Sequence, residues 1–389
     1  MNLGRTVFAQ LMEHLPSYEF QKCVARYHGD SYFRGFSCLD QYLAMAFAQL
    51  TYRESLRDIE ACLRSVGPKL YHMGLRGKVS RTTLADANER HDWRIYADFA
   101  QVLIAVARPL YATDPIAAEL TSCLYALDST TIDLCLSVFP WAKFRQHKGA
   151  VKMHTLLDLH GNIPTFVSIS DGTVHDVNVL DEIDLEAGSI YVFDRAYIDF
   201  VRLYEFTLSA AFFVVRTKTN ILLKRRYSRP VDKTTGVRSD HIVILTTIAS
   251  ATAYPDQLRR VSYLDVKTRK RFKFLTNNFT LPALTIAQIH KCRWQVELFF
   301  RWVKQHLRIK AFFGTSENAV KTQLWIALSV YVLVAILRKH LNLDASLYQI
   351  LQILSVSLFE KTPILEALQA SESRDELPNI SNQLILFEL

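Results

Sequence analysis

The sequence pattern changes at Cys123-Leu-Tyr-Ala-Leu-Asp128, a largely apolar run that ends in an acid. Ser189-Ile-Tyr-Val-Phe-Asp194 repeats the pattern further along. Such runs predict buried strands, and ligands in open α/β sheets collect where strands end. If the two strands are neighbours, Asp128 and Asp194 lie side by side at one edge of a sheet.

The segments around these two runs predict a mixed α/β sheet with local hairpins. His160-Gly-Asn162 is a strong hairpin-turn signal between two apolar-alternating segments. Residues 131–136 follow the first run as a possible hairpin partner. The further predicted elements are strands at 151–159, 163–170 and 211–215 and short helices at 177–184 and 200–207.

The flanks of this region differ from it in periodicity. Apolar residues at three- and four-residue spacing predict helices at 6–15, 39–50 and 55–63 and a helical connector at 93–111. A compact helical unit at the N-terminus is either a helix-turn-helix DNA binder or a structural cap, and periodicity cannot separate the two. Polar turns divide residues 221–280 into antiparallel strands, predicted at 241–248, 259–266 and 271–279.

Charge is unevenly distributed along the 389 residues, whose formal net charge is +8. Residues 216–273 hold fifteen Lys or Arg against four Asp or Glu, and residues 341–389 are acidic. Lys224-Arg-Arg-Tyr-Ser-Arg229 and Lys267-Thr-Arg-Lys-Arg-Phe-Lys273 mix cations with aromatic rings, which suits a nucleic-acid backbone. The alternative is a solvated basic surface.

Composition narrows the class of protein further. The six cysteines include no Cys-x-x-Cys pair, so buried thiols are favoured over a disulfide framework or a zinc site. The N-terminus lacks a signal-peptide pattern. The longest uncharged apolar run, 322–337, is shorter than the ~20 residues of a membrane span and is interpreted as a buried helix. We therefore expect a cytoplasmic protein without membrane contact.

One predicted helix, Thr285-Ile-Ala-Gln-Ile-His-Lys-Cys-Arg-Trp-Gln-Val-Glu297-Leu-Phe-Phe-Arg-Trp-Val-Lys304-Gln-His-Leu307, places a single carboxylate in a row of cations. At about 100° per residue, the polar members lie within roughly 80° of one another. These members are His290, Arg293, Glu297, Arg301 and Lys304. If this helix crosses the sheet edge, Glu297 joins Asp128 and Asp194, and three acids converge on divalent cations. Mg²⁺ prefers oxygen ligands, and two such ions can clamp an in-line phosphoryl transfer.

Less specific interpretations compete with this one. An Asp at a strand end is often a turn or cap residue, and Glu297 can be an ion-pair partner of Arg293 or Arg301. Lys152 and His154 lie on the strand after Asp128 and are candidates to line the site. Other acids are not excluded by spacing, and the histidines and tryptophans near these segments are expected to be structural. They are Asp133, Asp158, Asp171, Asp176, Asp199, His147, His175, Trp294 and Trp302.

The helix resembles the Y-x₂-R-x₃-E-x₆-K motif of DDE transposases of the insertion-sequence-four (IS four) group. It stands here as His290-x₂-Arg293-x₃-Glu297-x₆-Lys304. The segments around Asp128 and Asp194 and Gly314-Thr-Ser-Glu-Asn318 are also similar to that group. N-terminal stretches, among them Thr83-Leu-Ala-Asp-Ala-Asn88, resemble the domain attached to many such transposases.

This resemblance implies an RNase H-like catalytic core at 121–220 and 281–345, interrupted by a β-rich basic insertion at 221–280. It implies a helical N-terminal DNA-binding domain at 1–90, a connector at 91–120 and a helical, acidic C-terminal tail at 346–389. Asp128, Asp194 and Glu297 would be the catalytic metal ligands for two Mg²⁺ ions, which Mn²⁺ can replace. His290, Arg293 and Lys304 would contact DNA.

The implied activity is cleavage of element-end DNA followed by strand transfer into target DNA, by a homodimer bound to double-stranded DNA at the bacterial nucleoid. His290 departs from the pattern, because the family has Tyr there. The alternatives are a catalytically inactive relative that only binds DNA, a nuclease that cuts without joining, and a structural scaffold.

Overall fold

The structure is a computed structural model, and it describes residues 4–31, 35–114, 123–145, 148–218, 220–266, 268–306 and 312–369. Its strands form one 10-stranded sheet. In chain order they are β1 (Leu124–Leu134), β2 (Lys143–Arg145), β3 (Lys148–Asp158), β4 (Ile163–Asp171), β5 (Ile190–Phe193), β6 (Phe212–Arg216), β7 (Leu223–Arg229), β8 (Val237–Leu245), β9 (Leu258–Leu264) and β10 (Arg271–Thr276).

Helices precede the sheet, cover it and follow it along the described part of the chain. In order they are α1 (Val7–Met12), α2 (Ser17–Arg26), α3 (Cys38–Leu50), α4 (Leu56–Ser65), α5 (Arg81–Arg90), α6 (Trp93–Tyr111), α7 (Phe200–Leu208), α8 (Ile248–Ala253), α9 (Ala283–Cys292), α10 (Trp294–His306), α11 (Glu317–His340), α12 (Leu347–Ser357) and α13 (Ile364–Gln369). The segment predicted as a helix at 177–184 is a 3₁₀ turn, Asp176–Glu182.

The centre of the sheet consists of three parallel strands, because β5 pairs in parallel with both β1 and β6. On the other side of β1, β3 pairs antiparallel and β4 pairs antiparallel to β3. An antiparallel hairpin joined to a parallel β1–β5–β6 core is the strand arrangement of an RNase H-like fold. The predicted α/β class is confirmed.

The basic segment predicted as a β-rich insertion continues this sheet. β10 pairs antiparallel with β6, and β9, β8 and β7 follow in order. The predicted strands 241–248, 259–266 and 271–279 correspond to β8, β9 and β10, and β7 adds a fourth. Because main-chain hydrogen bonds run unbroken across β6 and β10, the insertion is held rigidly beside the edge where Asp194 lies.

The hairpin predicted directly after Asp128 is wrong, since β1 is one strand of 11 residues. Its second half pairs with β3 in the same register as its first half, with Ser129 opposite His154 and Thr131 opposite Lys152. The polar composition of residues 129–131 therefore reflects a half-exposed strand face, and there is no turn in it.

The turn predicted at His160-Gly-Asn162 is confirmed between β3 and β4. Gly161 and Asn162 have φ values of 72° and 59°, in the left-handed region that favours Gly and Asn. A Cβ on Gly161 would lie 2.0 Å from a ring carbon of Tyr111. The hairpin thus packs directly on the last residue of α6.

The predicted helix at 285–307 is interrupted at Arg293, which separates α9 from α10. His290 therefore lies on one helix and Glu297 on the next. The expectation of one continuous polar face is corrected by this break. Arg293 itself has φ −51° and ψ −28°, so the chain changes direction only slightly there.

Helix α11 is the core helix of the molecule, with every residue from Thr322 to Leu337 buried. Among the described residues it is the one helix that is long and apolar enough to cross a membrane, and 94% of its apolar window is enclosed by the protein. The interpretation of 322–337 as a buried helix is confirmed.

The N-terminal and C-terminal helical segments pack on each other and share one hydrophobic cluster with the sheet and α11. The backbone N–H of Val7 donates to the carbonyl of Glu360 at 2.8 Å, and the Gln10 side chain donates to the carbonyl of Thr362 at 2.7 Å. Tyr111 on α6 donates its hydroxyl to the carbonyl of Ala335 at 2.9 Å. The acidic residues beyond 369 lie outside the described part of the chain.

Candidate active site

Asp128 and Asp194 occupy equivalent places on neighbouring parallel strands. Leu127 pairs with Phe193, so the two aspartates are the next residues on β1 and β5. Neighbouring strands lie about 4.8 Å apart. β5 ends at Phe193, and the Asp194 carboxylate accepts a hydrogen bond from the Arg195 N–H at 2.6 Å. The sequence prediction that the two acids lie side by side agrees with this geometry, but Asp128 does not end its strand, since β1 continues to Leu134.

Glu297 comes to the same edge from the first turn of α10, which packs against β1. A carboxylate there is favoured by the helix dipole. Arg293 joins it to the sheet: one guanidinium nitrogen lies 2.5 Å from Asp128 Oδ2 and another lies 2.5 Å from Glu297 Oε1. Arg293 thus contacts Asp128 and Glu297, and Asp194 lies near enough to influence its charge.

The pKa values of Asp128 and Arg293 are both shifted, by burial and by the neighbouring charges. Burial raises the pKa of Asp128, Arg293 opposes that rise, and Glu297 and Asp194 add to it. Burial would lower the pKa of Arg293, but Asp128, Glu297 and Asp194 outweigh burial and raise it. Three acids at a partly dehydrated edge hold a cation strongly, and in this structure the guanidinium supplies that charge.

The donor set of the cluster fits a divalent metal. All three side chains offer carboxylate oxygens, the ligands that hard divalent cations prefer. Among the described residues, only Asp30, Cys38 and His91 place three ligand atoms within 4.8 Å of one another, so Asp128, Asp194 and Glu297 stand further apart, with Arg293 between Asp128 and Glu297. A metal at this edge would therefore displace Arg293 from at least one carboxylate.

His290 lies behind the cluster, on α9. Its ring packs against Phe274 of β10 with 4.6 Å between ring centroids. Burial, followed by repulsion from Arg293, lowers the pKa of His290 to about 3, although Asp194 opposes this. The imidazole is therefore neutral in this position, whereas the phosphate contact expected from the sequence would be strongest for a protonated ring.

Lys304 reaches β1 from the third turn of α10. Its ammonium donates to the carbonyl of Thr131 at 2.8 Å, three residues beyond Asp128 on the same strand. The cation is thus held at the rim of the acid cluster.

A second polar group adjoins the cluster and contains Lys152, His154 and Asp176, all of which were named from the sequence. Asp176 accepts hydrogen bonds from the Ser129 hydroxyl at 2.8 Å, and its carboxylate lies 3.1 Å from the Lys152 ammonium. His154 is buried beside them, and burial lowers its pKa. Lys152 and His154 were candidates because they lie on the predicted strand after Asp128, whereas Asp176, which comes from a turn, was one of several acids that spacing left open.

The remaining sequence candidates lie elsewhere. Asp133 is exposed on β1, and Asp199 caps the start of α7. Trp294 is 50% exposed, which corrects the expectation that it packs in the core. His147, Lys267 and the side chain of Trp302 lie outside the described part of the structure.

A basic cleft opens beside Asp194 on the insertion side of the sheet. It has a volume of about 320 Å³ and is lined by cations from β6, β9, β10 and the turn after β5. Its charged residues are Arg195, Arg216, Lys218, Arg260, Arg271 and Lys273. No acid lines this cleft among the described residues. Beyond it, β7 carries the predicted basic stretch 224–229, most of which is exposed.

Comparison with known proteins places this geometry in a family. Residues 119–333 match the transposase DDE domain, and residues 3–76 match a domain family of unknown function. A protein named as transposase y4zB of Sinorhizobium fredii is 33% identical over 287 residues, which is 72% of this chain and 78% of that protein. A protein of Geobacillus stearothermophilus named as the transposase of insertion sequence element IS5377 is 35% identical over 212 residues, or 54% of this chain and 55% of that protein.

A cryo-EM structure of the piggyBac transposase synaptic complex with hairpin DNA has a TM-score of 0.48 and 10% identity, covering 96% of this chain and 80% of that chain. The fold assignment stands on the strand order described above. The family match spans the strands and helix that carry the three acids, and enzymes with this domain generally depend on divalent metal ions. The chain therefore belongs to the DDE transposases of bacterial insertion sequences.

Proposed function

We propose that Asp128, Asp194 and Glu297 are the catalytic residues of this transposase and that together they hold two Mg²⁺ ions. The observation that supports the proposal is that Arg293 pairs with both Asp128 of β1 and Glu297 of α10, while Asp194 follows the end of the neighbouring strand β5. Two such ions, when bound, activate the attacking oxygen and stabilise the leaving one. The residues of the chain supply position and charge and no nucleophile.

The reaction has two steps at this one site. Water attacks a phosphorus at the end of the element, the bond from phosphorus to the 3′ oxygen breaks, and a 3′-OH is freed. That hydroxyl then attacks a phosphodiester of the target, whose own 3′ oxygen leaves. Both steps are in-line displacements, so the same arrangement of acids serves each of them.

Arg293 and Lys304 are proposed as phosphate contacts beside the scissile bond. When a cation occupies the acids, Arg293 loses its role between Asp128 and Glu297 and its guanidinium can turn to a phosphate, which it binds in a bidentate manner. Lys304 lies at the rim and adds a point charge. His290 is the third proposed contact, and as a neutral imidazole it would donate through one N–H.

The basic cleft is proposed to hold the backbone of double-stranded DNA that leaves the active site. Six cations without an acid among its described lining residues neutralise several phosphates, and Trp294 offers an exposed ring for stacking. We further propose that the helical segment 1–90 binds the terminal repeats. An element has two ends and each needs one active site, which favours a homodimer in the DNA complex, acting on nucleoid DNA in the cytoplasm.

The test uses the purified protein, linear DNA that carries both element ends, and Mg²⁺. We expect three variants to lose cleavage, namely Asp128→Ala, Asp194→Ala and Glu297→Ala. Each variant protein should still bind end DNA. Asp133→Ala is the matched control, because Asp133 is an exposed acid on the same strand as Asp128. Cleavage by all three variants at the parental rate would exclude the assignment.

The products distinguish the proposal from its alternatives. Joined product with a short target duplication supports strand transfer. Cleavage without joining would indicate a nuclease, and binding of end DNA without metal-dependent cleavage would indicate an inactive relative.

A further inference from the structure

A second cluster of ligating side chains lies in the helical N-terminal segment, on the part of the chain outside the DDE match. Asp30, Cys38 and His91 come from the loop after α2, the first residue of α3 and the end of α5. One ligand atom of each lies within 4.8 Å of the other two. His91 is more than fifty residues from the other two in the sequence, so packing of α5 against α3 brings it to them.

The approach of the loop to α3 is close and specific. A Cβ on Gly29 would lie 2.7 Å from the Cys38 sulfur, so only glycine lets the loop pass this near the thiol. The next residue, Asp30, accepts a hydrogen bond from the Cys38 N–H at 2.7 Å. This hydrogen bond places the carboxylate beside the thiol.

The histidine is oriented by a buried hydrogen-bond network. Gln41 donates its amide to Asn88 Oδ1 at 2.7 Å, which leaves Gln41 Oε1 as an acceptor. That oxygen lies 2.5 Å from His91 Nδ1 and accepts the Tyr96 hydroxyl at 2.6 Å. Nδ1 is then the protonated nitrogen, and Nε2 carries the lone pair.

A histidine whose other N–H is held by a fixed acceptor is the usual form of a metal ligand, because this contact sets the tautomer and the ring orientation. The same network ties the site to the rest of the fold. Asn318 at the start of α11 donates to the carbonyls of Asn88 and His91, each at 2.8 Å. A cation on His91 would thus be anchored to the core helix.

We propose that Asp30, Cys38 and His91 bind a borderline-soft divalent cation of the Zn²⁺ type, which fastens the loop after α2 to α3 and α5. Thiolate and imidazole select such a cation over Mg²⁺, and three protein ligands leave a fourth position for water. Tetrahedral Zn²⁺ holds its ligand atoms roughly 3.3–3.8 Å apart, from bond lengths of about 2.0–2.3 Å. In this structure the ligand atoms lie within 4.8 Å of one another. Because Asp30 is exposed, its side chain can rotate to bring its carboxylate to the tetrahedral spacing.

A cleft of about 580 Å³ adjoins the cluster on the side of Asp30, which lines it together with Gly29 and Ser37, whereas Cys38 and His91 are buried behind it. Binding replaces the thiol proton by the metal, so one proton is released to solvent for each ion bound. The absence of a Cys-x-x-Cys pair argued against a zinc site from the sequence. The structure assigns one through a mixed set of ligands that no short motif describes.

The test is a Co²⁺ titration of the full chain, reduced and freed of metal, in the absence of DNA. We expect one equivalent of Co²⁺ to give a sulfur-to-cobalt charge-transfer band in the near ultraviolet. The acids Asp128, Asp194 and Glu297 contain no sulfur, so this band reports only a site with a thiolate. Cys38→Ser is expected to lose the band, whereas Cys23→Ser, which removes another buried thiol of the same helical segment, is expected to keep it.

Asp30→Asn provides a variant that folds even if Cys38→Ser does not, because Asp30 is exposed. It is expected to weaken Co²⁺ binding by at least about tenfold, the scale of losses at metal sites. Excess Zn²⁺ should raise the Tm of the parent clearly more than that of Asp30→Asn. No charge-transfer band in the parent at stoichiometric Co²⁺, or a band unchanged in Cys38→Ser, would overturn the proposal.

Discussion

Arg259 and Arg293 both pair with carboxylates inside the protein, but the two arginines are arranged in opposite ways. Arg259 and Asp240 form a bidentate ion pair between β9 and β8, with nitrogen–oxygen distances of 2.9 and 2.8 Å and both side chains almost fully buried. A third nitrogen of Arg259 donates to the carbonyls of Asn278 and Leu281. Every nitrogen of that guanidinium has a partner, and one acid balances one base.

Arg293 is arranged differently. It spans Asp128 and Glu297, with Asp194 close enough to raise its pKa further, and its Nε is buried without a hydrogen-bond partner among the described residues. Three acids therefore lie near one base, and the guanidinium does not use all of its hydrogen-bond donors. The Arg259 pair is suited to holding strands together, and the Arg293 cluster is suited to exchanging one cation for another.

The largest effect on stability is expected at the ion pair of Arg259 and Asp240. Asp240→Ala leaves a buried guanidinium without its counter-ion and should lower the free energy of unfolding by about 3–5 kcal/mol. Urea denaturation measures this loss. Asp256→Ala, which removes an exposed acid of the same insertion, is expected to change stability little. Equal losses for the two variants would show that the Asp240 pair is not structural.

The next effect separates activity from stability at the acid cluster. Glu297→Gln removes a charge but keeps the shape, and it should reduce DNA cleavage by about 10²–10³-fold or more, as loss of a charge-stabilising group does. The midpoint of urea unfolding should stay close to that of the parent, since Glu297 is partly exposed. Glu317→Gln is the control, because Glu317 also lies in the first turn of a helix and pairs with a cation at i+4. A comparable loss of cleavage in Glu317→Gln would contradict the assignment of Glu297 as a catalytic residue.

A smaller effect tests cation exchange directly. Arg293→Gln should lower the free energy of unfolding by about 1.5–3 kcal/mol in the absence of metal, the scale of a charge-assisted hydrogen bond. Millimolar Mg²⁺ should recover part of that loss, because the freed acids take up the ion. The loss in Arg259→Gln should not respond to Mg²⁺. The comparison fails if Mg²⁺ stabilises both variants equally.

The smallest effect concerns pH. Burial lowers the pKa of His154, so the folded protein binds fewer protons there than the unfolded chain. The stabilisation is complete above the ordinary pKa of 6.5 and is lost as the pH falls below it. His154→Gln should therefore flatten the decline of stability between pH 6.5 and 5, by at most about 1.4 kcal/mol per pH unit. His72→Gln, an exposed histidine, should leave the decline unchanged, and an equal slope in both variants would contradict the assignment.

Much of the fold was accessible from local patterns. Apolar runs ending in acids predicted β1 and β5, the His160-Gly-Asn162 turn predicted the β3–β4 hairpin, and an apolar stretch predicted the buried α11. The hairpin predicted after Asp128 was wrong, because the polar residues of a half-exposed strand face have a composition similar to that of a turn. The interruption at Arg293 was also missed, because a helical wheel continues through a slight change of direction.

The sequence by itself determined the α/β class, the order of Asp128, Asp194 and Glu297 along the chain, and the concentration of cations in the insertion. Each of these depends on residues that are neighbours in the chain or on a spacing shared with a family. Only the tertiary structure decided that the insertion extends the central sheet and that His290 packs on Phe274. It also decided that Arg293 reaches an acid 165 residues away and that Asp30, Cys38 and His91 meet. Contacts over such separations are set by the packing of whole elements, and periodicity carries no information about them.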